Sequence, residues 1–242
     1  MPNKPLPPLN PATKKPLTPE DLAHIFSLEC SKQELDTEHA WIDIPEEVLD
    51  MYKYYRATPL VRAYALEKAL DTPAHIYFKN ESVNPLGSHK INSALPQCYY
   101  CREEGVTNVT TETGAGQWGA ALSYAAKVFG LESAVYQVKI TLQQKPYRGI
   151  LMRTFGATVT GSPSMSTRAG KDIITRDPNN SGSLGTAISE AIELATTTPN
   201  CKYTLGSVLN HVALHQTIIG LEAEKQMAMT GEYPDTIIAC FG

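Results

Sequence analysis

The chain has 242 residues, of which 42% are hydrophobic and 19% charged, and its formal net charge of −4 argues against a nucleic-acid or anionic-membrane partner. Its longest apolar run, 237–241, is far shorter than the roughly 20 residues that span a bilayer. Five cysteines, an odd number, and an N-terminus without an apolar signal segment favour reduced thiols and a cytoplasmic location.

The first 19 residues hold seven of the 17 prolines and are predicted to form an extended arm. A helix is predicted to start at its end, because Thr18 is a suitable N-cap and Pro19 suits the first helical position. A second short helix is predicted over 44–55, where Pro45 and the glutamates after it give the same signals.

From residue 56 onward, short apolar segments alternate with longer helical patterns, and glycine-containing turns separate them. The predicted strands are 60–63, 75–79, 108–112, 134–140, 157–160, 202–205 and 236–241. The predicted helices are 66–70, 89–104, 117–129, 142–155, 164–175, 186–196 and 209–230. This alternation predicts an α/β fold, with parallel sheets flanked by helices on both faces.

The last predicted strand, 236–241, runs directly into the final glycine, Gly242. A strand followed by no further element leaves half of a βα unit and an exposed sheet edge. We therefore expect the chain to be a fragment, the N-terminal part of a longer protein.

A first candidate site lies in the turn before the helix predicted at 89–104. Pro85 and Gly87 are typical of a tight turn, and Ser88 or His89 is expected to cap the helix, which places Lys90 in its first turn. The positive end of the helix dipole disfavours a second cation there and lowers the pKa of the amine, as a Schiff-base lysine requires. The alternative is an ordinary solvated lysine.

A second candidate site lies in the segment 110–119, which leads from a strand into a helix and contains three glycines. Backbone N–H groups at such a helix start bind anions, and a carboxylate is the expected ligand. Glu112, at the carboxyl end of the strand, is then placed as a general acid–base. The alternative is a glycine-rich turn of purely structural use.

Three weaker patterns are interpreted conservatively, and no metal site is predicted. Cys98 and Cys101 have the spacing of a metal-binding pair but lack a second pair, so packing is expected. His211 and His215 are one helical turn apart without the glutamate of a zinc protease, which favours packing or a substrate-pocket lining. The two cations of 143–148 suit a phosphate or, in the preferred interpretation, a salt bridge.

Taken together, the segments 87–92, 112–119, 144–148 and 206–211 resemble tryptophan synthase beta chains. The resemblance runs from about Leu6 to the last residue. Trp118 stands where the better-known subfamily has a histidine, so the chain is similar to the second, TrpB-like subfamily.

The resemblance implies a fold-type II pyridoxal-phosphate enzyme, with two α/β domains around a cofactor cleft. It matches Lys90 to the lysine that binds the cofactor covalently, places His89 beside the cofactor phosphate, and matches Glu112 to the acid–base residue. It also counts Gln117 among the cofactor-binding residues. The residues matched to the loop that grips the substrate carboxylate are Thr113, Gly114, Ala115, Gly116 and Gln117.

The resemblance also implies a domain organisation: an N-terminal arm with short helices over 1–55, a mobile α/β domain over 56–205, and the start of the cofactor-binding domain over 206–242. In this family a glycine-rich loop that binds the cofactor phosphate begins where this chain stops. The residue that faces the pyridine nitrogen comes later still.

The implied activity is the pyridoxal-phosphate-dependent conversion of L-serine and indole to L-tryptophan, the last step of tryptophan biosynthesis. The implied partners are those two substrates, a tryptophan synthase alpha subunit and a second copy of the full-length chain. One alternative is another fold-type II enzyme, a serine dehydratase or sulfhydrylase, although such relatives usually lack an acid at the position of Glu112. The other is a catalytically inactive fragment that acts as an interaction module.

Overall fold

The computed structural model describes residues 6–239. The helices are α1 (Pro19–Leu22), α2 (Leu28–Leu35), α3 (Glu46–Tyr52), α4 (Tyr64–Ala69), α5 (Ile91–Glu103), α6 (Gln117–Val128), α7 (Lys139–Gln144), α8 (Pro146–Thr154), α9 (Arg168–Arg176), α10 (Leu184–Thr197) and α11 (Asn210–Thr230). The strands are β1 (Leu60–Arg62), β2 (Tyr77–Lys79), β3 (Asn108–Thr113), β4 (Glu132–Val138), β5 (Thr158–Ser162) and β6 (Cys201–Tyr203).

The central element is a sheet of four parallel strands in the order β5-β4-β3-β6, covered by helices on both faces. Val135 of β4 packs with Ala120 of α6 and Met152 of α8, whereas the next residue, Tyr136, packs with Ala187 of α10. Successive side chains of a strand point to opposite faces, so α10 lies on one face and α6 with α8 on the other. The predicted α/β fold with a parallel, helix-flanked sheet is confirmed.

Outside the central sheet, β1 and β2 form a separate two-stranded antiparallel pair, with Leu60 opposite Lys79. Both strands were predicted, but the prediction that they belong to a parallel sheet is wrong. The short helix α4 lies between them, and the chain returns so that β2 runs back along β1.

Helix α5 joins the outer layer to the core. It packs on α6, on α11 and on α3, and its buried face includes Ile91, Leu95 and Cys98. Helix α11 also contacts α2. The start of α5 therefore lies between the central sheet and α11, next to the carboxyl ends of β3 and β6.

Three sequence predictions need correction. The single helix expected over 142–155 is two helices, α7 and α8, because Pro146 cannot continue the hydrogen-bond ladder and starts a new helix. Helix α2, capped by Ser27, was not predicted. Residues 236–239 form no strand, since no neighbouring strand within the described residues pairs with them, and Ile238 is 92% exposed. The rest of that predicted strand and Gly242 lie outside the described residues.

Two N-terminal predictions are confirmed. Thr18 caps α1 in a reciprocal arrangement with Asp21, and Pro19 is its first residue. The second short helix is present as α3, although it is shorter than the predicted 44–55. Between residues 6 and 239, no helix combines the length and the apolar character needed to cross a bilayer.

Candidate active site

Lys90 lies at the N-cap position of α5, one step before the first turn in which the sequence placed it. The reason is that the N–H of Ala94 donates to the Lys90 carbonyl (3.1 Å), the first bond of the helix ladder. Neither Ser88 nor His89 is the cap itself, although the Ser88 hydroxyl accepts from the Lys90 N–H (3.3 Å).

The amine of Lys90 is half-buried, and its Nζ donates to the carbonyl oxygen of Gly206 at 3.2 Å. Burial lowers the pKa of Lys90, and the Glu112 carboxylate opposes this effect in part. A lowered pKa increases the fraction of neutral amine, which is the nucleophilic form. Lys90 is therefore suited to attack a carbonyl carbon, as the sequence predicted.

The turn before Lys90 is held by Asn84. Its side-chain amide donates to the Ser88 carbonyl (2.8 Å), and its Oδ1 accepts from the N–H of Leu86 (3.0 Å). Gly87 has φ +66°, a conformation that L side chains rarely adopt, and its N–H closes the turn onto the Asn84 carbonyl. The predicted tight turn is confirmed.

The start of α5 is also fixed by a cluster of four charged side chains and one amide, which we call the Arg56 cluster: Arg56, Lys79, Glu81, Glu222 and Asn92. Arg56 makes paired hydrogen bonds to both carboxylates, Glu81 (3.0 and 3.1 Å) and Glu222 (2.6 and 2.7 Å). It also donates to Asn92 Oδ1 (2.9 Å), two residues after Lys90. Lys79 completes the cluster with an ion pair to Glu222 (2.7 Å).

His89 is tied to α11 through its backbone, since its carbonyl accepts from Gln216 Nε2 at 3.1 Å. Burial and the adjacent Lys90 ammonium lower the pKa of the His89 imidazole. An imidazole with a lowered pKa is uncharged at pH 7.

Glu112 lies near the end of β3 and is only 5% exposed. Its Oε2 accepts a short hydrogen bond from the hydroxyl of Tyr203 on the adjacent strand β6. Burial raises the pKa of Glu112, while the Tyr203 hydrogen bond and the Lys90 charge oppose the rise. A carboxyl whose pKa is raised toward neutrality is suited to give and take a proton.

The loop after Glu112 turns sharply at Gly116, whose φ of +93° and close neighbours require glycine. A Cβ there would lie 2.7 Å from Arg148 Cβ, closer than real Cβ atoms come. No acceptor in the described part of the chain pairs with the backbone N–H groups of Ala115 and Gln117, and both residues are exposed. These N–H groups at the start of α6 are open to an anion.

Trp118 and Gly206 connect this loop to Lys90. The indole Nε1 donates to Thr111 Oγ1 (2.7 Å), and the ring lies against Gly206, where a Cβ would be 2.4 Å from Trp118 Cδ2. The carbonyl of the same Gly206 holds the Lys90 amine. The structure thus brings together Lys90, Glu112 and the 113–117 loop, while it records no contact of the His89 ring with that loop.

Two residues near the site were not singled out from the sequence. Tyr203 lies 91 positions after Glu112 and becomes its neighbour only through the pairing of β3 with β6. Gln137, opposite Thr113 in the sheet, is fully buried beneath Gly116, and neither atom of its amide has a partner in the described residues. A polar residue between the apolar neighbours Tyr136 and Val138 was the available signal for Gln137.

The weaker patterns take structural roles. Cys98 and Cys101 are free, buried thiols of α5. His215 bonds to Ser93 (3.1 Å) and Gln33 (2.9 Å), and burial lowers its pKa to about 3. It is thus packed, and it also lines a cavity beside Trp41, so the pocket-lining alternative stays a prediction. The salt bridge expected within 143–148 is wrong for the described residues: no carboxylate pairs with these cations, and Arg148 packs against Gly116.

Residues 51–242 match the family described as pyridoxal-phosphate dependent enzymes. A tryptophan synthase beta chain 2 from Thermotoga maritima is 55% identical over 242 residues, which is 100% of this chain and 57% of the relative. The protein of the same name from Aquifex aeolicus is 56% identical, over 98% of this chain and 54% of the relative. The chain thus spans about half the length of these curated relatives.

Solved structures show the same fold at low sequence identity. A diaminopropionate ammonia lyase from Escherichia coli aligns with a TM-score of 0.60 at 16% identity, covering 78% of this chain and 53% of that one. A serine ammonia-lyase from Rhizomucor miehei aligns with a TM-score of 0.55 at 22% identity, covering 72% of this chain and 48% of that one. These structures support the fold-type II architecture.

Proposed function

Because the chain belongs to the family of pyridoxal-phosphate dependent enzymes, we propose that it carries part of the active site of a tryptophan synthase beta chain. The reaction is a β-replacement, in which indole displaces the hydroxyl of L-serine, so that L-tryptophan and water are formed. The observation that carries the proposal is the placement of the half-buried Lys90 amine and the buried Glu112 carboxyl beside a loop whose backbone N–H groups are open.

The residues present fit pyridoxal phosphate. The Lys90 amine has a backbone carbonyl as its hydrogen-bond partner and no ion pair among the described residues, so it is available to the aldehyde of the cofactor. The missing Cβ of Gly206 leaves the indole of Trp118 and the amine side by side. His89, neutral and adjacent to Lys90, is the proposed hydrogen-bond donor beside the phosphate. When bound, the cofactor supplies an electron sink at the substrate's α-carbon.

The loop from Thr113 to Gln117 is the proposed site for the serine carboxylate. The open N–H groups of Ala115 and Gln117 lie at the positive end of α6, where an anion is stabilised. Two hydrogen bonds hold the loop in place: the Thr141 hydroxyl donates to the Gly114 carbonyl, and the Gly119 N–H donates to Thr113 Oγ1 (3.2 Å). A carboxylate bound there fixes the orientation of the serine side chain.

Glu112 is the proposed acid–base group. Its carboxyl gives a proton to the serine hydroxyl as water leaves, and the resulting carboxylate accepts the ring proton of indole when the new carbon–carbon bond forms. The raised pKa supports this role, because it brings the carboxyl closer to the pH range in which it can both give and take a proton.

The full-length enzyme is also expected to have protein partners and a cellular location. A tryptophan synthase alpha subunit and a second copy of the full-length enzyme are the implied protein partners. The cytoplasm is the proposed location, supported by the four described cysteines, all of which are free thiols.

The test is Glu112→Gln in the holoenzyme that carries this chain. We expect tryptophan formation from serine and indole to fall by about 10²-fold or more, the usual loss for a positioned acid–base group. Cofactor absorbance should be retained, because Glu112 acts on the substrate. Glu132→Gln is the matched control, since Glu132 is exposed at the opposite end of the sheet. Full turnover of Glu112→Gln would contradict the proposed function.

A further inference from the structure

The hydroxyl of Tyr203 is the closest described neighbour of the Glu112 carboxyl. Tyr203 is 3% exposed and donates to Glu112 Oε2 from β6, the strand that lies beside β3. Its ring is fixed by Phe26, whose centroid is 5.8 Å away, and by the alanines of α10. The phenol has little freedom to turn away from the carboxyl.

The buried Glu112 carboxyl is subject to two opposed effects, with Tyr203 on the adjacent strand as the first of its donors and Thr111 and the Glu112 backbone on its own strand as the others. Burial disfavours the charged form of Glu112, and the phenol favours it. Hydrogen bonds to charged groups are among the strongest single contacts in a protein interior, so the phenol offsets a large part of the burial effect. Removing the hydroxyl alone leaves the burial in place.

We propose that Tyr203 is a positioning residue that holds Glu112 in one orientation and fixes the pH at which this carboxyl exchanges its proton. The inference rests on the proposed function, because it assigns a task to the neighbour of the proposed acid–base group. Tyr203 acts through Glu112 and does not itself touch the substrate in this assignment.

Few other titratable groups face Glu112. Lys90 approaches from the start of α5 and stabilises the carboxylate. Tyr136 lies opposite Glu112 on β4. On α10, which covers this face of the sheet, Glu190 accepts from Ser164 and Thr167, and Glu193 from the backbone at the start of α9. Tyr203 is thus the one described side chain with a direct hydrogen bond to the Glu112 carboxyl from a neighbouring strand.

The test is a pH titration of Glu112 in Tyr203→Phe. The titration is monitored by carbon-13 NMR of carboxyl-labelled glutamate, and the Glu112 signal is assigned by its absence in Glu112→Gln. We expect the midpoint of the Glu112 titration to rise by about one pH unit, which is the effect of losing one hydrogen bond to a charged group. The pH profile of tryptophan formation by the holoenzyme should move in the same direction. Tyr136→Phe is the control, because it removes a buried tyrosine hydroxyl from the same sheet that makes no hydrogen bond to Glu112.

A second variant tests the opposite direction and covers the case in which Tyr203→Phe does not fold. Tyr203→fluorotyrosine keeps the ring and makes the phenol a stronger donor, so the midpoint of Glu112 should move down. An unchanged midpoint in the folded variants, with Glu112→Gln still slow, overturns the Tyr203 assignment alone. Full turnover of Glu112→Gln overturns the proposed function, whatever Tyr203 does.

Discussion

At the scale of single residues, two of the lysines that are partly shielded from solvent, Lys90 and Lys79, lie in different surroundings. Lys90 donates to a backbone carbonyl, whereas Lys79 is paired with Glu222 at 2.7 Å and with Gln226 at 2.9 Å. A free amine with a lowered pKa attacks an aldehyde, and an ion-paired ammonium does not. Of these two lysines, Lys90 is therefore the one expected to bind the cofactor covalently.

We expect borohydride reduction of the holoenzyme to label Lys90. Peptide mapping should find the reduced cofactor on the peptide that contains Lys90, and Lys90→Ala should abolish the label. Lys79 serves as the internal control, since its peptide should remain unmodified. A label on any other lysine would disprove the assignment.

The residues of the site were predictable to different degrees. Lys90 and Glu112 were predicted because each lies in a local pattern of glycines at a strand–helix junction, where the chemistry is encoded within about ten residues. Tyr203 and Gln137 were missed because their significance depends on which strands become neighbours. The roles given to His89 and to the carboxylate loop stay predictions.

At the scale of elements, Gly206 determines how closely the segment after β6 approaches α6. Its missing Cβ lets the backbone lie directly on the ring of Trp118, and its carbonyl then meets the Lys90 amine. Any larger residue must move either the indole, which is held by Thr111, or the backbone that receives the amine.

We expect Gly206→Ala to destabilise the protein by about 1–3 kcal/mol, the usual cost of an overpacked core. It should also weaken cofactor binding, because the Gly206 carbonyl moves away from Lys90. Gly220→Ala is the matched control: Gly220 lies inside α11 with no heavy atom within 4 Å of an added Cβ. That change should stabilise by about 0.5–1 kcal/mol. Urea unfolding and a cofactor titration measure both effects, and equal behaviour of the two variants would refute the argument.

The elements of the central sheet were predicted with bounds that differ from the observed ones by no more than two residues, since apolar runs and glycine turns are local signals. The errors have non-local causes. The antiparallel direction of β1 and β2 depends on the path of the chain between them. A strand at 236–239 would need a neighbouring strand to pair with. The domain boundary at 205/206 stays a prediction.

At the scale of the whole molecule, the Arg56 cluster links the segment before β1, β2, the start of α5 and α11. Burial alone would raise the pKa of Glu81 and Glu222, but the hydrogen bonds from Arg56 and their other donors, together with the nearby positive charges, outweigh burial, and the net pKa of both is lowered. Carboxylates of this kind stabilise the fold above their unfolded pKa, and that contribution is lost as the pH falls through the folded pKa.

We therefore expect the free energy of unfolding to fall as the pH is lowered below about 4.5, where unfolded glutamates begin to take up protons. In Glu222→Gln the acid-dependent loss should be smaller, because one titrating partner is absent. The variant should be less stable at pH 7 by about 3–5 kcal/mol, since Arg56 is left partly unpaired. Urea unfolding across a pH series measures both quantities. Parallel pH dependence in the two proteins would contradict this account.

The contact between Trp118 and Gly206 has an optical consequence. The chain has two tryptophans: Trp41 is 79% exposed, whereas Trp118 is 5% exposed and lies next to the backbone that holds the Lys90 amine. Their fluorescence therefore differs in wavelength: the buried indole of Trp118 emits at a shorter wavelength than the exposed indole of Trp41. A chromophore attached to Lys90 accepts excitation energy from Trp118 at very short range. Cofactor loading can thus be followed by the selective loss of the blue component, with Trp41→Phe leaving a single-tryptophan reporter of the site.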